Sequence, residues 1–276
     1  MIDETTTTVN DLETRYLSGG TGPTVVFLHD GAWGASADVT WGEVAALAVR
    51  NYSVVAPDLL GFGGSAKSVR LDQAPFGFRL RHVFALLDQL GVTAPVHLVG
   101  NSFGGSLALR ALTDPSVRPR IASVTTISGT GGPWRAAASA QLGPFDGTDA
   151  DMARIVHLLC GDYDGAEAQV SGRMKWARMP GHYAATMAIH QAVPEPLRLA
   201  RPADPYPQSL TGATTPVLLF ECLDDVLVEV GWTKHVVEVL PQAKVVKVNR
   251  LHAPNITHPE QTWALISAFL EEVARG

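Results

Sequence analysis

The sequence of 276 residues is poor in charged residues, in cysteine and in long apolar runs, and each shortage excludes a class of protein. Only 17% of the residues are charged, with 21 Lys and Arg against 27 Asp and Glu, so the formal net charge is −6. An acidic chain without a basic stripe is not expected to bind nucleic acid. No run reaches the roughly 18 apolar residues that a membrane span requires. The two cysteines, Cys160 and Cys222, resemble neither a disulfide framework nor a zinc site.

The amino-terminal segment lacks the features of a secretory signal. Its residues, MIDETTTTVNDLETRY, are polar and acidic, whereas a signal peptide is basic and then apolar. We therefore expect a cytoplasmic protein, and we expect the run Thr5–Thr8 to lie in a frayed terminus. Hydrophobic residues make up 46% of the sequence. That is enough for a large core that needs neither a disulfide nor a metal to hold it together.

Short apolar runs alternate with helical patterns in the first half of the chain. The runs are TVVFL (24–28), YSVVA (52–56), PVHLV (95–99) and IASVTTI (121–127). They are almost continuously apolar, as strands buried on both faces are. Between the second and third runs, apolar residues from Leu80 to Leu90 follow the helical spacing, and Gly91 marks the end of that helix. The alternation predicts an α/β fold with a mostly parallel sheet flanked by helices.

This alternation is interrupted in the second half of the chain. The segment 132–210 contains helix-like pieces and many prolines but no convincing buried strand, and the strand pattern returns at PVLLF (216–220). A last helix is expected to begin at His258-Pro259, because proline suits the first helical position. We therefore predict an α/β core formed by residues 1–131 and 211–276, with 132–210 inserted as a helical cap over the strand ends.

The motif GNSFGG (100–105) lies between strand PVHLV and the helix-like stretch SLALRAL. It is a G-x-S-x-G motif in a strand–turn–helix context, in which the serine hydroxyl stands at the top of a sheet. The glycines suit a sharp turn where neighbouring backbone approaches closely. The helix N-terminus favours negative charge that develops at Ser102. The motif predicts a nucleophilic Ser102, and the alternative is a serine that only caps the helix.

A nucleophilic serine needs a base, and the base needs an acid that orients it. His252 follows the last predicted strand, and Asp224 and Asp225 follow strand PVLLF. Both positions lie at the carboxyl edge of a parallel sheet, on the same side as Ser102. The chain order Ser, Asp, His is typical of this nucleophile turn. A polar loop histidine and two solvated acids are the structural alternatives, and one of the two acids is expected to hold the imidazole.

Taken together, these motifs resemble the α/β-hydrolase family over essentially the whole chain. Further matching stretches are His29-Asp30-Gly31 after the first buried strand, PDLLGFGGS (57–65) and LHAPNITHPE (251–260). The resemblance implies that Asp225 is the acid, at the fourth position of a G-x-x-D stretch in which Cys222 replaces the glycine. It also implies an oxyanion hole formed by the backbone N–H groups of Gly31 and Phe103, and an enzyme without metal or cofactor.

Within that family, the elbow (the GNSFGG turn, 100–105) and the cap segment are most similar to those of the meta-cleavage product hydrolases, which cleave a C–C bond in 2-hydroxy-6-oxo-dienoates. That resemblance implies that Asn101 assists substrate binding and that Arg173, spaced from Pro180 as in the subfamily, binds the substrate carboxylate.

The chain departs from the subfamily pattern in two places. The loop HGxGPG is HDGAWG (29–34) here, where Asp30 adds a charge and Trp33 adds bulk. Leu251 and Ala253 replace the usual glycine and tryptophan around His252.

Other functions remain open at this point. Serine at position 102 excludes the family members that attack with an aspartate, such as haloalkane dehalogenases and epoxide hydrolases. The main alternative is a carboxylesterase or lactonase acting on a bulky small-molecule ester. More remote are a non-catalytic ligand-binding protein and a cofactor-free oxidase or haloperoxidase on the same fold. The expected partner is a small-molecule substrate, with no nucleic acid and no membrane, and a homo-oligomer is left open.

Overall fold

The computed structural model describes residues 1–188, 194–196 and 203–276. Within these residues, eight strands form one sheet in the order β1-β2-β4-β3-β5-β6-β7-β8. The strands are β1 (Ile2–Val9), β2 (Leu12–Gly19), β3 (Thr24–Leu28), β4 (Ser53–Pro57), β5 (Val96–Asn101), β6 (Ile121–Ile127), β7 (Val217–Cys222) and β8 (Lys244–Val248). Strand β2 is antiparallel to β1 and β4, and all other neighbours are parallel. The predicted mostly parallel sheet is confirmed.

The amino-terminal strand pair corrects one expectation from the sequence. Residues Thr5–Thr8 do not fray, because β1 pairs with β2 along its whole length. The two strands are joined by Asn10 and Asp11, which take φ angles of 49° and 62°, the left-handed conformation that a tight two-residue hairpin requires. Threonine favours strands through its β-branched side chain. This edge strand was not predicted from the sequence, because a half-exposed strand is largely polar and lacks the continuous apolar run of a buried strand.

Helices cover both faces of the sheet. They are α1 (Ala37–Ala48), α2 (Gly77–Gln89), α3 (Phe103–Ala111), α4 (Asp149–Cys160), α5 (Ala166–Ala177), α6 (His182–Met187), α7 (Thr233–Val239), α8 (Pro254–Thr257) and α9 (Pro259–Arg275). On one face, α1 and α9 share a buried cluster with β3, which includes Phe27, Trp41 and Ile266. On the other face, α2, α3 and α7 form a second cluster. None of the helices in the described ranges combines the length and apolar composition needed to cross a bilayer.

The helices α4, α5 and α6 lie between β6 and β7 in the sequence, where the cap is predicted. Their apolar side chains pack in a third cluster with residues of the loops after β3, β7 and β8, among them Trp33, Leu227 and Ala253. These loops follow the carboxyl ends of parallel strands, so the helices cover that edge of the sheet. Residues 189–193 and 197–202 of the predicted cap lie outside the described residues, and its boundaries stay a prediction.

Candidate active site

Ser102 sits at a strained turn between β5 and α3. Its φ and ψ angles are 54° and −113°, a combination that residues with a side chain rarely adopt and that is found disproportionately at functional sites. The two glycines that flank this turn have no room for a side chain. A Cβ atom at Gly100 would lie 2.2 Å from the carbonyl oxygen of Gly104, and one at Gly104 would lie 2.1 Å from that of Leu28. Close backbone packing therefore holds the strained serine in place.

Asp225 and His252 form a buried hydrogen-bonded pair. Nδ1 of His252 donates to Oδ2 of Asp225 over 2.8 Å, and Oδ1 of Asp225 accepts the N–H of Leu227, also over 2.8 Å. Burial raises the pKa of Asp225, but the charge and hydrogen bond of His252 outweigh it, so that pKa lies below its ordinary value. An ionised carboxylate keeps the proton on Nδ1 and leaves Nε2 as an acceptor. The neighbouring Asp224 is exposed.

The second nitrogen of His252 is buried and unpaired. Nε2 has no hydrogen-bond partner in the part of the chain that the structure describes. Buried polar atoms are nearly always hydrogen-bonded in proteins, so an unpaired one points to a catalytic or binding role. His252 and Ser102 line the same cavity, whose volume is about 680 Å³. The arrangement places a proton acceptor in the cavity that Ser102 also lines.

Gly31 and Phe103, the predicted oxyanion donors, are in contact with each other. A Cβ atom at Gly31 would lie 2.9 Å from the Cβ of Phe103, and both residues line the cavity beside Ser102. Phe103 is the first residue of α3, and the first N–H groups of a helix have no acceptor within it. The two loops therefore meet at one point of the cavity wall, where two backbone donors can face a substrate oxygen.

Asn101 is placed differently from the expectation that it binds substrate. Its side chain is fully buried and is not among the described residues that line the cavity. Nδ2 donates to the carbonyl oxygens of His252 and Ile127, over 3.0 and 3.3 Å. Nδ2 thus ties the loop that carries His252 to the neighbouring strand end, while Oδ1 is buried and has no hydrogen-bond partner among the described residues.

Arg173 is also placed differently from the expectation that it binds a substrate carboxylate. It is fully buried on α5, away from the described cavity lining. Its Nη2 and Nη1 donate to the two carboxylate oxygens of Asp30 over 2.9 and 3.2 Å, and Nη1 also reaches the carbonyl of Trp33. Burial raises the pKa of Asp30, but this ion pair holds it well below its ordinary value. The guanidinium is therefore neutralised within the protein.

Two further residues of the cavity wall were not predicted from the sequence. Ser128 follows β6 with a φ angle of 52°. Arg79 lies on the buried face of α2, where it is only 4% exposed, and both residues line the cavity. The sequence feature that could have indicated Arg79 is an arginine placed among the apolar residues of an amphipathic helix.

Within the described ranges, no group of three His, Cys, Asp or Glu side chains is arranged to hold a metal ion.

A family profile described as "Alpha/beta hydrolase family" matches residues 25–265. The 2-hydroxy-6-oxo-6-(2'-aminophenyl)hexa-2,4-dienoic acid hydrolase of Metapseudomonas resinovorans is 37% identical over 99 residues, which cover 36% of this chain and 33% of that protein. The 2-hydroxymuconate semialdehyde hydrolase of Pseudomonas sp. strain CF600 is 28% identical over 151 residues, or 55% of this chain and 52% of that one. These matches span between a third and about half of the relatives' lengths.

A solved structure extends the likeness to the whole chain. The 2-hydroxy-6-oxo-6-phenylhexa-2,4-dienoate hydrolase from Rhodococcus sp. strain RHA1 superposes with a TM-score of 0.84 at 24% identity. The superposition covers 100% of this chain and 99% of that one. At this identity the likeness establishes a common fold.

Proposed function

Because the chain belongs to the alpha/beta hydrolase family, we propose that it is a serine hydrolase in which Ser102, His252 and Asp225 form the catalytic triad. The observation that carries the proposal is the buried, unpaired Nε2 of His252, which lines the same cavity as Ser102. The opposite nitrogen is held by an ionised carboxylate. A histidine with one nitrogen anchored and the other free is the arrangement that a general base requires.

The reaction follows from this arrangement. His252 Nε2 takes the proton of the Ser102 hydroxyl, or of a water that Ser102 orients, while Asp225 stabilises the imidazolium that forms. As the oxygen adds to the substrate carbonyl, the negative charge on the carbonyl oxygen meets the N–H groups of Gly31 and Phe103. Each such donor contributes about 3–4 kcal/mol to the transition state. His252 then returns the proton to the leaving group.

We further propose that the substrate is of the 2-hydroxy-6-oxo-dienoate type and that a C–C bond is cleaved. Support comes from the names of the relatives in Metapseudomonas resinovorans and Pseudomonas and from the elbow motif GNSFGG. In this reaction, Ser102 and His252 also assist the shift of the dienol to its keto form before the bond beside the second carbonyl breaks. The fragment that carries the carboxylate leaves with the bonding electrons and is protonated.

A carboxylesterase or lactonase activity is the second candidate, and one observation favours it. The cap residue Arg173, expected to bind the dienoate carboxylate, is paired with Asp30 instead. A neutral ester carries no carboxylate and needs no such partner. The same Ser102 and His252 chemistry would then form an acyl-enzyme that water hydrolyses.

The test is turnover of two substrate panels, dienoates and nitrophenyl esters, by the purified wild type and by Ser102→Ala. We expect the variant to lose at least ~10³-fold in kcat on the best substrate while its circular dichroism spectrum stays unchanged. A variant that retains most of its activity would contradict the triad. The panel that the wild type turns over with the higher kcat/KM decides between the two substrate classes.

A further inference from the structure

The active-site cavity is positively charged although the whole protein is acidic. Three arginines are among its lining residues: Arg70, Arg79 and Arg135. Arg70 is ion-paired with Asp72, whereas no carboxylate of the described residues is paired with Arg79 or Arg135. No aspartate or glutamate is found among the described residues of that lining. A cavity lined by one sign of charge concentrates ligands of the opposite sign. The lining therefore favours an anionic substrate.

Arg79 differs from the other buried arginines in having no carboxylate partner. Arg15 forms ion pairs with Glu4, Asp38 and Asp58, and Arg173 is paired with Asp30. The side chain of Arg79 is 4% exposed, yet no acidic group within the described ranges bonds to it. Burial lowers the pKa of Arg79 to about 10, so it stays protonated at neutral pH. A buried charge without a counter-charge is costly unless a ligand supplies one.

The contacts of Arg79 hold its guanidinium in place and leave donors free. Nε donates to the carbonyl of Leu60 over 2.7 Å, and Nη1 donates to that of Pro75 over 2.9 Å. A guanidinium has five N–H donors, so three remain, including both on Nη2. Nη2 has no hydrogen-bond partner among the described residues. A free edge of a fixed guanidinium is suited to a bidentate carboxylate contact.

Arg79 lies near the proposed oxyanion hole. Its guanidinium carbon lies 5.4 Å from the ring centroid of Phe103, the residue next to Ser102 and a proposed oxyanion donor. Gly61 lines the far side, with a φ angle of 96°, and a Cβ atom there would lie 3.2 Å from Nη2. Nη2 therefore packs closely against Gly61, and a side chain at that position would press on the guanidinium.

We propose that Arg79 binds a carboxylate on the substrate and thereby selects anionic substrates over neutral ones. This inference rests on the proposed serine hydrolase function and names the residue that takes the place expected of Arg173. It requires the substrate carbonyl at Ser102 and the carboxylate at Arg79 to be bound at the same time within one cavity. The alternative role of Arg79 is purely structural, joining the loops at Leu60 and Pro75.

The experiment compares two esters that differ in charge, mono-p-nitrophenyl glutarate and p-nitrophenyl pentanoate. The measured quantity is the ratio of kcat/KM for the anionic ester to kcat/KM for the neutral ester. We expect Arg79→Gln to lower this ratio at least about tenfold, since a hydrogen bond to a charged group is lost. Arg79→Lys should recover part of the ratio, because it keeps the charge but lacks the planar fork.

Arg81→Gln is the matched control, because Arg81 lies on the same helix, is exposed and bonds to Gln73. This variant removes the same charge from the protein, and we expect the ratio to stay within about twofold of the wild type. Equal losses on both esters in a folded Arg79→Gln variant, or an unchanged ratio, would overturn the inference. If Arg79→Gln does not fold, a ratio in Arg79→Lys equal to that of the wild type would overturn it.

The outcome is separable from that of the proposed function. If Ser102→Ala abolishes turnover of both esters while Arg79→Gln leaves their ratio unchanged, the serine hydrolase stands and the carboxylate site fails. If Ser102→Ala retains activity, the triad itself fails, whatever Arg79 does.

Discussion

At the scale of single residues, two adjacent acids have opposite environments. Asp225 is buried and bonded to His252, whereas Asp224 is exposed. The sequence placed both acids after a strand but could not choose between them from pattern alone, and the register of the resembling family indicated Asp225. Burial and hydrogen bonding depend on the backbone path after β7, which a local pattern does not encode.

This contrast yields a prediction about the two amides. Asp225→Asn should lower kcat by about 10⁴-fold, because an amide favours the wrong tautomer of His252. Asp224→Asn is the matched control and should change kcat less than about twofold, since exposed polar substitutions have small effects. Initial rates on the best substrate measure both. Equal losses, or a larger loss at position 224, would show that Asp224 rather than Asp225 orients the histidine.

At the scale of elements, the loop after β3 is fixed from two sides. Asp30 accepts hydrogen bonds from Ala32 N–H and the Thr40 hydroxyl, and Arg173 reaches it from the cap helix α5. The neighbouring Gly31 is a proposed oxyanion donor. The Asp30–Arg173 pair joins residues 143 positions apart in the sequence, so no local motif revealed it, and the cap pattern pointed to a substrate role instead.

Breaking this pair should destabilise the protein strongly. Asp30→Asn leaves Arg173 buried without a counter-charge, and we expect a loss of about 3–5 kcal/mol in the free energy of unfolding. Arg178→Gln is the control, because its ion pair with Asp149 is exposed on both sides, and its loss should cost less than about 1 kcal/mol. Urea denaturation measures both values. Similar values for the two variants would contradict the structural role given to the pair.

The same pair predicts a pH dependence with a definite sign. The pKa of Asp30 is lower in the folded protein than in the unfolded chain, where it is about 3.9. Its ionised form therefore adds stability above about pH 4, and this contribution is lost as the pH falls further. The stability difference between wild type and Asp30→Asn should shrink from pH 7 to pH 3. A difference that stays constant over this range, measured by denaturation, would contradict the lowered pKa.

The nucleophile turn gives a second prediction at the element scale. Gly104→Ala would place a Cβ atom 2.1 Å from the carbonyl oxygen of Leu28, so α3 must move away from β3. We expect a clear loss of thermal stability and of activity. Gly42→Ala is the matched control, because it lies in α1 with no atom near the added Cβ, and alanine in a helix should stabilise by about 0.5–1 kcal/mol. An activity in Gly104→Ala equal to wild type would contradict the close packing.

At the scale of the whole molecule, the sequence predicted the parallel sheet and the interruption between β6 and β7 because buried strands carry a continuous apolar signal. The antiparallel pair β1 and β2 was not predicted, because its residues are largely polar and half-exposed. Ser102 and His252 were predicted as candidate catalytic residues because their motifs stand at strand ends. Arg79 was not predicted, because the feature that distinguishes it, the lack of a bonded carboxylate among the described residues, is visible only in the folded chain.

The central claim, that Ser102 is the activated nucleophile, is tested most directly by covalent labelling with an alkyl fluorophosphonate. The serine oxygen bonds to phosphorus and fluoride leaves, so peptide mass spectrometry identifies the modified residue. The account predicts one adduct per chain, on Ser102 and not on the other cavity serines such as Ser106 or Ser128, no adduct in Ser102→Ala, and slower labelling in Asp225→Asn. An unlabelled Ser102 in protein that turns over its substrate, or an adduct on another serine, would contradict it.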